Sequence, residues 1–155
     1  MSFVSVRARG IKPSATLTLT AKAKTLSEQG RPVISFAAGE PDFDSPEVVK
    51  DAARAAIAAG HTKYAPVGGY LALREAVIAD LEELSGVRRS PDEVLVSCGA
   101  KHVLYNLIQA TINPGDAVIY AAPYWVSYPS MIAMAGGRSV VIQTSSREGF
   151  RLDPK

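Results

Sequence analysis

Cysteine is almost missing from this chain. Cys98 stands alone in 155 residues, so no internal disulfide can form, which fits a reducing compartment. Neither sign of charge dominates: 17 lysines and arginines face 15 aspartates and glutamates, a net charge of +2. The basic residues are scattered and do not interleave with aromatics, so nothing argues for a nucleic-acid partner or an anionic membrane surface. No stretch approaches the roughly 20 apolar residues that a membrane-crossing helix needs. The opening "MSFVSVRARGIKPSATL" has no apolar run of the kind that marks a secretory signal. The expectation is a soluble, cytoplasmic protein with no nucleic-acid and no membrane partner. Three phosphate or nucleophile signatures are also absent: G-x-G-x-x-G, the P-loop and the G-x-S-x-G elbow. His61 and His102 read as surface or packing histidines, without a second histidine or cysteine at metal spacing, and no metal is expected.

What remains is apolar and regular. Hydrophobic residues make up 47% of the chain, enough for one ordinary core that buries roughly 70% of the unfolded surface. "TLTAKAKTLSEQG" suits a helix ending at Gly30, and Val33 to Phe36 a short strand before the Gly, Pro and Asp-rich loop "AAGEPDFDSP". From Ser45 the pattern is clearer. Ser45 suits an N-cap, Pro46 the first helical position and Gly60 the helix end. Val49, Ala52, Ala53, Ala56 and Ile57 share one face of that helix, and Glu47, Lys50, Asp51 and Arg54 the other. A second helix is expected from about Tyr70 to Leu84, with Leu73, Val77, Leu81 and Leu84 inward. Then "EVLVS" reads as a strand and "AKHVLYNLIQATI" as a helix with Val103, Leu104, Leu107, Ile108 and Ile112 inward. "NPGD" reads as a turn, "AVIY" as a strand, "VSYPSMIAMAGG" as helical and "SVVIQT" as a strand. Strands alternating with helices predict an α/β fold, a mostly parallel sheet covered by helices on both faces.

Ligands of open parallel sheets bind beyond the carboxyl ends of the strands. Two loops there carry chemistry. In "SCGAK", Gly99 permits a tight turn, and the amides of Ala100 and Lys101 open a helix whose unpaired N–H groups and dipole attract an anion. The plainer reading is a strand-to-helix turn with a surface lysine. In "AAPYWVSY", the single tryptophan, Trp125, follows a strand. It is either a flat platform for an aromatic ligand or a core residue under a loop. Together the loops suit a cofactor that has both a phosphate and an aromatic ring.

Six segments then match a family in order: "KPSAT" (12–16), "AAGEPDFDSP" (37–46), "TKYAPVGGYLALREAV" (62–77), "SCGAKHVLYN" (97–106), "NPGDAVIYAAPYWVSYPSM" (113–131) and "AGG" (135–137). The chain resembles the N-terminal part of the class I, fold-type-I aminotransferases, in their aspartate and prephenate branch. The resemblance implies pyridoxal 5'-phosphate as cofactor, amino acids and 2-oxo acids as substrates, and a homodimer for the complete enzyme. It implies that Trp125 stacks on the pyridine ring and that Gly99, Ala100 and Lys101 cradle the phosphate. Tyr64 would reach the cofactor phosphate of the partner subunit. Gly39 would lie against the substrate carboxylate, and Lys101 would meet the distal carboxylate of a dicarboxylic substrate, in a pocket flanked by Ser14 and Thr16. Residues 1–44 would form an N-terminal arm and substrate loop that contacts the small domain or the dimer partner, and 45–155 an incomplete large cofactor-binding domain. Ala100 departs from the glycine, serine or threonine of many relatives. The Schiff-base lysine has no match in the chain, so no catalytic residue is assigned, a fragment is expected, and 1–155 alone is expected to be inactive. A non-catalytic ligand-binding or assembly module stands as the alternative, as do an aromatic or alanine aminotransferase and a C–S β-lyase.

Overall fold

The computed structural model describes residues 3–152. The chain folds into two compact units. One takes the chain up to Gly39 and again from Leu104, and the other is Glu40–Val103.

In the first unit, helix α1 (Val6–Arg9) and helix α2 (Ala15–Glu28) open the chain. The Ser14 hydroxyl caps α2 by accepting from the Leu17 N–H at 3.4 Å, satisfying one of the amides a helix start leaves unpaired. The strand expected at Val33–Phe36 does not form. This stretch runs beside α2, sharing an open groove with Leu19, Ala23 and Leu26, and among the described residues no strand offers it a ladder. Ile34 and Phe36 are correspondingly exposed.

The sheet is parallel and has two strands among the described residues, β1 (Ala117–Ala122) and β2 (Arg138–Gln143), paired from Ala117 with Arg138 to Ala122 with Gln143. Helix α6 (Tyr128–Met134) forms the crossover between them. Its Met131 and Ile132 are the buried apolar residues of this unit, Ile132 being 1% exposed. The turn from α6 into β2 is tight. A Cβ on Gly137 would stand 2.8 Å from Ile112 Cγ2, 3.1 Å from Ile132 Cγ2 and 3.4 Å from the Asp116 carbonyl. Before β1, the Asp116 carboxylate accepts from the Asn113 backbone N–H at 2.8 Å, closing the expected "NPGD" turn.

In the second unit, helix α3 (Glu47–Ala58) starts one residue later than expected. Pro46 rather than Ser45 is the cap, and its carbonyl accepts from Val49 and Lys50. Gly60 closes this helix as expected. At φ +83° it lets the Gly60 N–H reach the Ile57 carbonyl and the His61 N–H reach the Ala56 carbonyl. Helix α4 (Leu71–Ser85) follows, ending at left-handed Gly86. Its buried residue is Ile78, while Leu73, Leu81 and Leu84 of the expected face are exposed.

The expected strand at 93–97 is also absent. A short 3-10 turn (Pro91–Glu93) leads into extended backbone whose Val96 N–H donates to the Gly68 carbonyl at 3.1 Å. Helix α5 (Ala100–Thr111) then begins, and the boundary between the units falls within it. Of its expected inward residues, Leu104 and Ile108 are half-buried, whereas Leu107 is 55% exposed.

Candidate active site

β1 delivers the aromatic loop. The strand ends at Ala122, and Tyr124 and Trp125 follow before α6. Tyr120, on the strand, meets the edge of Tyr124 at a ring separation of 4.7 Å and that of Tyr128 at 6.1 Å. Tyr128 in turn holds Trp125 edge-on at 5.8 Å and 80°. Such perpendicular pairs suit the ring quadrupoles and are worth about 0.5–1.5 kcal/mol each beyond area burial. The indole is therefore held at one edge but is not a core residue: 42% of its surface is exposed.

The same loop meets the N-terminal segment. Ile11 to Ala15 and Val126, Ser127, Pro129 and Ser130 line a cavity of about 430 Å³. Two motifs more than 110 positions apart, "KPSA" and the run after Trp125, thus come together within one unit. Lys12 lines this cavity and was not singled out from the sequence; its charge beside Ser14 was the available signal. Thr16 sits half-buried in the first turn of α2, and Gly39 lies in exposed irregular backbone.

The second unit holds the glycine turn. Gly99 adopts φ +90°, a left-handed conformation that favours glycine, and nothing lies within 4 Å of where its Cβ would be. Its carbonyl accepts from the His102 and Val103 amides, starting α5. Ala100 and Lys101 form the exposed opening of that helix. The turn is closed by side chains that sequence reading did not assign. His102 Nδ1 is hydrogen-bonded to the Ser97 hydroxyl and lies 3.1 Å from Cys98 Sγ. His102 is thus a clasp across the turn, reaching Ser97 and the Cys98 four positions before it, on an exposed side chain as expected of a surface histidine. Tyr64, in the loop before the Gly68–Gly69 turn, is fully exposed.

Because the 93–97 strand does not form, the expectation that both loops lie beyond the carboxyl ends of strands of one parallel sheet is met by the Trp125 loop and not by the glycine turn. The glycine turn is set by its own backbone and by the contact with Gly68.

Residues 31–155 match the family model for aminotransferase class I and II. The chain belongs to this family. Over all 155 residues it is 48% identical to an aspartate/prephenate aminotransferase of Thermus thermophilus, covering 40% of that protein. Its identity to one from Cereibacter sphaeroides is 46%, covering 39%. The solved aspartate aminotransferase of Thermus thermophilus with maleate matches with a TM-score of 0.93 and 49% identity, over 99% of this chain and 40% of that one. An alanine aminotransferase from Pyrococcus furiosus matches with a TM-score of 0.88 and 29% identity, over 95% of this chain and 38% of that one. The chain thus spans about 40% of the length of these relatives. The fold is the N-terminal part of the fold-type-I α/β architecture.

Proposed function

We propose that the complete protein carrying this segment is a pyridoxal-phosphate-dependent aminotransferase that acts on aspartate or another dicarboxylic amino acid with a 2-oxo acid as acceptor. The observation that carries the reading is 48% identity over the whole chain to an aspartate/prephenate aminotransferase. The solved relative with maleate, a dicarboxylate, supports the substrate class.

The residues present fit the cofactor. The left-handed Gly99 turn leaves open space beside a helix start, where N–H groups and the dipole favour a phosphate. The half-exposed indole of Trp125 offers a flat apolar surface for a pyridine ring. When bound, pyridoxal phosphate supplies an electron sink for the carbanion at the substrate α-carbon. This chain's residues bind and orient. Gly99, Ala100 and Lys101 would hold the phosphate, and Trp125 would stack on the pyridine ring and limit where the substrate can stand. Tyr64 serves the partner subunit's phosphate in a homodimer. Gly39, Thr16 and Lys101 contact substrate, with the Lys101 ammonium paired to its distal carboxylate. In the same reading, residues 1–44 are the arm and substrate loop of the complete enzyme, and 45–155 part of its large domain.

None of the chain's lysines matches the family's cofactor-linked lysine. Borohydride trapping of the cofactor in the complete protein, followed by peptide mapping, should therefore label no lysine within 1–155. A coupled assay should show amino transfer from aspartate to 2-oxoglutarate. Stoichiometric labelling of Lys101, or no transfer to any 2-oxo acid at saturating cofactor, would refute the reading. Transfer from alanine with none from aspartate would favour the second reading, an alanine aminotransferase, which the Pyrococcus furiosus relative supports.

A further inference from the structure

The glycine turn of the second unit is tied down by a contact three residues upstream. Val96 enters no ladder among the described residues. Instead its N–H donates to the Gly68 carbonyl at 3.1 Å, and its side chain lies on the backbone of Gly69. Gly69 is required twice over. Its φ is +93°, and a Cβ there would stand 2.7 Å from Val96 Cβ and 3.0 Å from Val96 Cγ2. Real Cβ atoms do not come that close, so any side chain at 69 must push Val96 away. Gly99, by contrast, needs glycine only for its φ, since a Cβ there would meet nothing.

Arg74, on the first turn of α4, braces this seat. Its guanidinium donates to the Pro91 carbonyl at 2.8 Å, and the same nitrogen lies 3.7 Å from the space a Gly68 Cβ would take. Arg74 Nε is buried without a hydrogen-bond partner. Holding a desolvated guanidinium there is unfavourable unless packing and the Pro91 bond offset it. One side chain thus spans the Gly68–Gly69 turn, on which Val96 is seated, and the Pro91–Glu93 turn that precedes Val96 in the chain.

We propose that Gly69 and Arg74 are positioning residues for phosphate recognition. By seating Val96 against the Gly68–Gly69 turn, they fix where the Ser97–Lys101 turn begins, while Ser97 and His102 fix its shape. The inference rests on reading that turn as the phosphate site. Neither residue touches the ligand. Each acts through Val96, which stands three residues before Gly99, so that moving it would move the chain that enters the turn, and charge-assisted hydrogen bonds lose strength steeply with such shifts.

The test compares two ligands that differ only in the phosphate, pyridoxal 5'-phosphate and pyridoxal, titrated into the cofactor-free complete protein. The expected result for Gly69→Ala is a loss of pyridoxal-phosphate affinity of about tenfold or more, with pyridoxal affinity changed by less than about threefold. Arg74→Gln, which leaves both turns sterically free, should show the same selective loss at about threefold to tenfold, and carries the test if the glycine variant does not fold. Equal weakening of both ligands would make the two residues general stability elements and overturn the proposal. So would unchanged pyridoxal-phosphate affinity in a folded variant. If the unaltered protein itself binds both ligands equally, the phosphate reading of the Gly99 turn fails, and the positioning role falls with it.

Discussion

Gly137→Ala isolates steric crowding from backbone strain, because Gly137 does not lie in the left-handed region. The added methyl would stand 2.8 Å from Ile112 Cγ2 and 3.1 Å from Ile132 Cγ2, so it is pinched from two sides. Neither neighbour yields easily. Both methyls sit on β-branched side chains with restricted χ1, and Ile132 is 1% exposed. The Gly137 N–H donates to the Ile132 carbonyl at 3.0 Å, and the Arg138 N–H to the Asp116 carbonyl at 2.7 Å, so the backbone is anchored as well. Overpacking of this kind costs about 1–3 kcal/mol, and the anchored backbone places Gly137→Ala in the upper half of that range. Urea denaturation should show a lower midpoint with an unchanged slope. Ile112→Leu removes the nearer methyl, so the double variant should recover about half of the loss, a coupling visible in a double-mutant cycle. A neutral Gly137→Ala, or additive single effects, would refute the steric reasoning.

Lys101→Ala should lower kcat/KM for aspartate about tenfold and leave alanine nearly unaffected. A charge-assisted contact is worth about 1.5–3 kcal/mol, and the exposure of Lys101 puts the expected loss at the lower end; equal losses for both substrates would assign it to phosphate binding alone. Glu93 caps the Pro91–Glu93 turn by accepting from the Ser90 backbone N–H at 2.8 Å and from its hydroxyl, and these bonds, with Arg89 nearby, hold its carboxyl below the ordinary glutamate value. A depressed carboxyl stabilises the fold above its unfolded pKa, and that contribution is lost as pH falls through the folded value. Glu93→Gln should therefore be less stable than the unaltered protein at pH 7, with the gap closing towards pH 3; a gap independent of pH would remove the charge from the account.

Much of the α/β pattern was legible because helix stops and amphipathic faces are local. Gly60 ended its helix where glycine at C′ predicts, and the "NPGD" turn, β1, α6 and β2 fell where apolar runs and turn residues put them. Val33–Phe36 and Glu93–Ser97 read as strands from their composition and are not strands, because a strand exists only where a neighbour supplies a ladder, and composition does not name the neighbour. Ser45 lost the cap to Pro46 for a local reason: proline at 46 holds the extended backbone that the cap position needs. At the site, Gly99 and Trp125 stood out by residue type. The Ser97–His102 clasp was readable in principle as a polar pair spanning a glycine. The cavity joining Ile11–Ala15 to the Trp125 loop was not, since nothing in either segment encodes the other. The seat of Val96 on Gly69 was equally hidden, because a glycine does not reveal which side chain presses on it.

The pairing of β1 with β2 across α6 has a kinetic side. Each strand residue finds its partner about twenty positions away, so the chain closes a short loop to make its parallel ladder, at a modest entropic cost. Parallel sheets are slow to assemble when their strands are far apart in sequence. This piece avoids that delay, and it carries the buried Met131 and Ile132 and the crowded Gly137. It is the natural place for ordered structure to appear first, with substitutions at Ile132 slowing folding and substitutions in the arm chiefly speeding unfolding. Trp125 lies on the crossover itself. The indole would then take up its setting early, before the distant arm closes the cavity beside it.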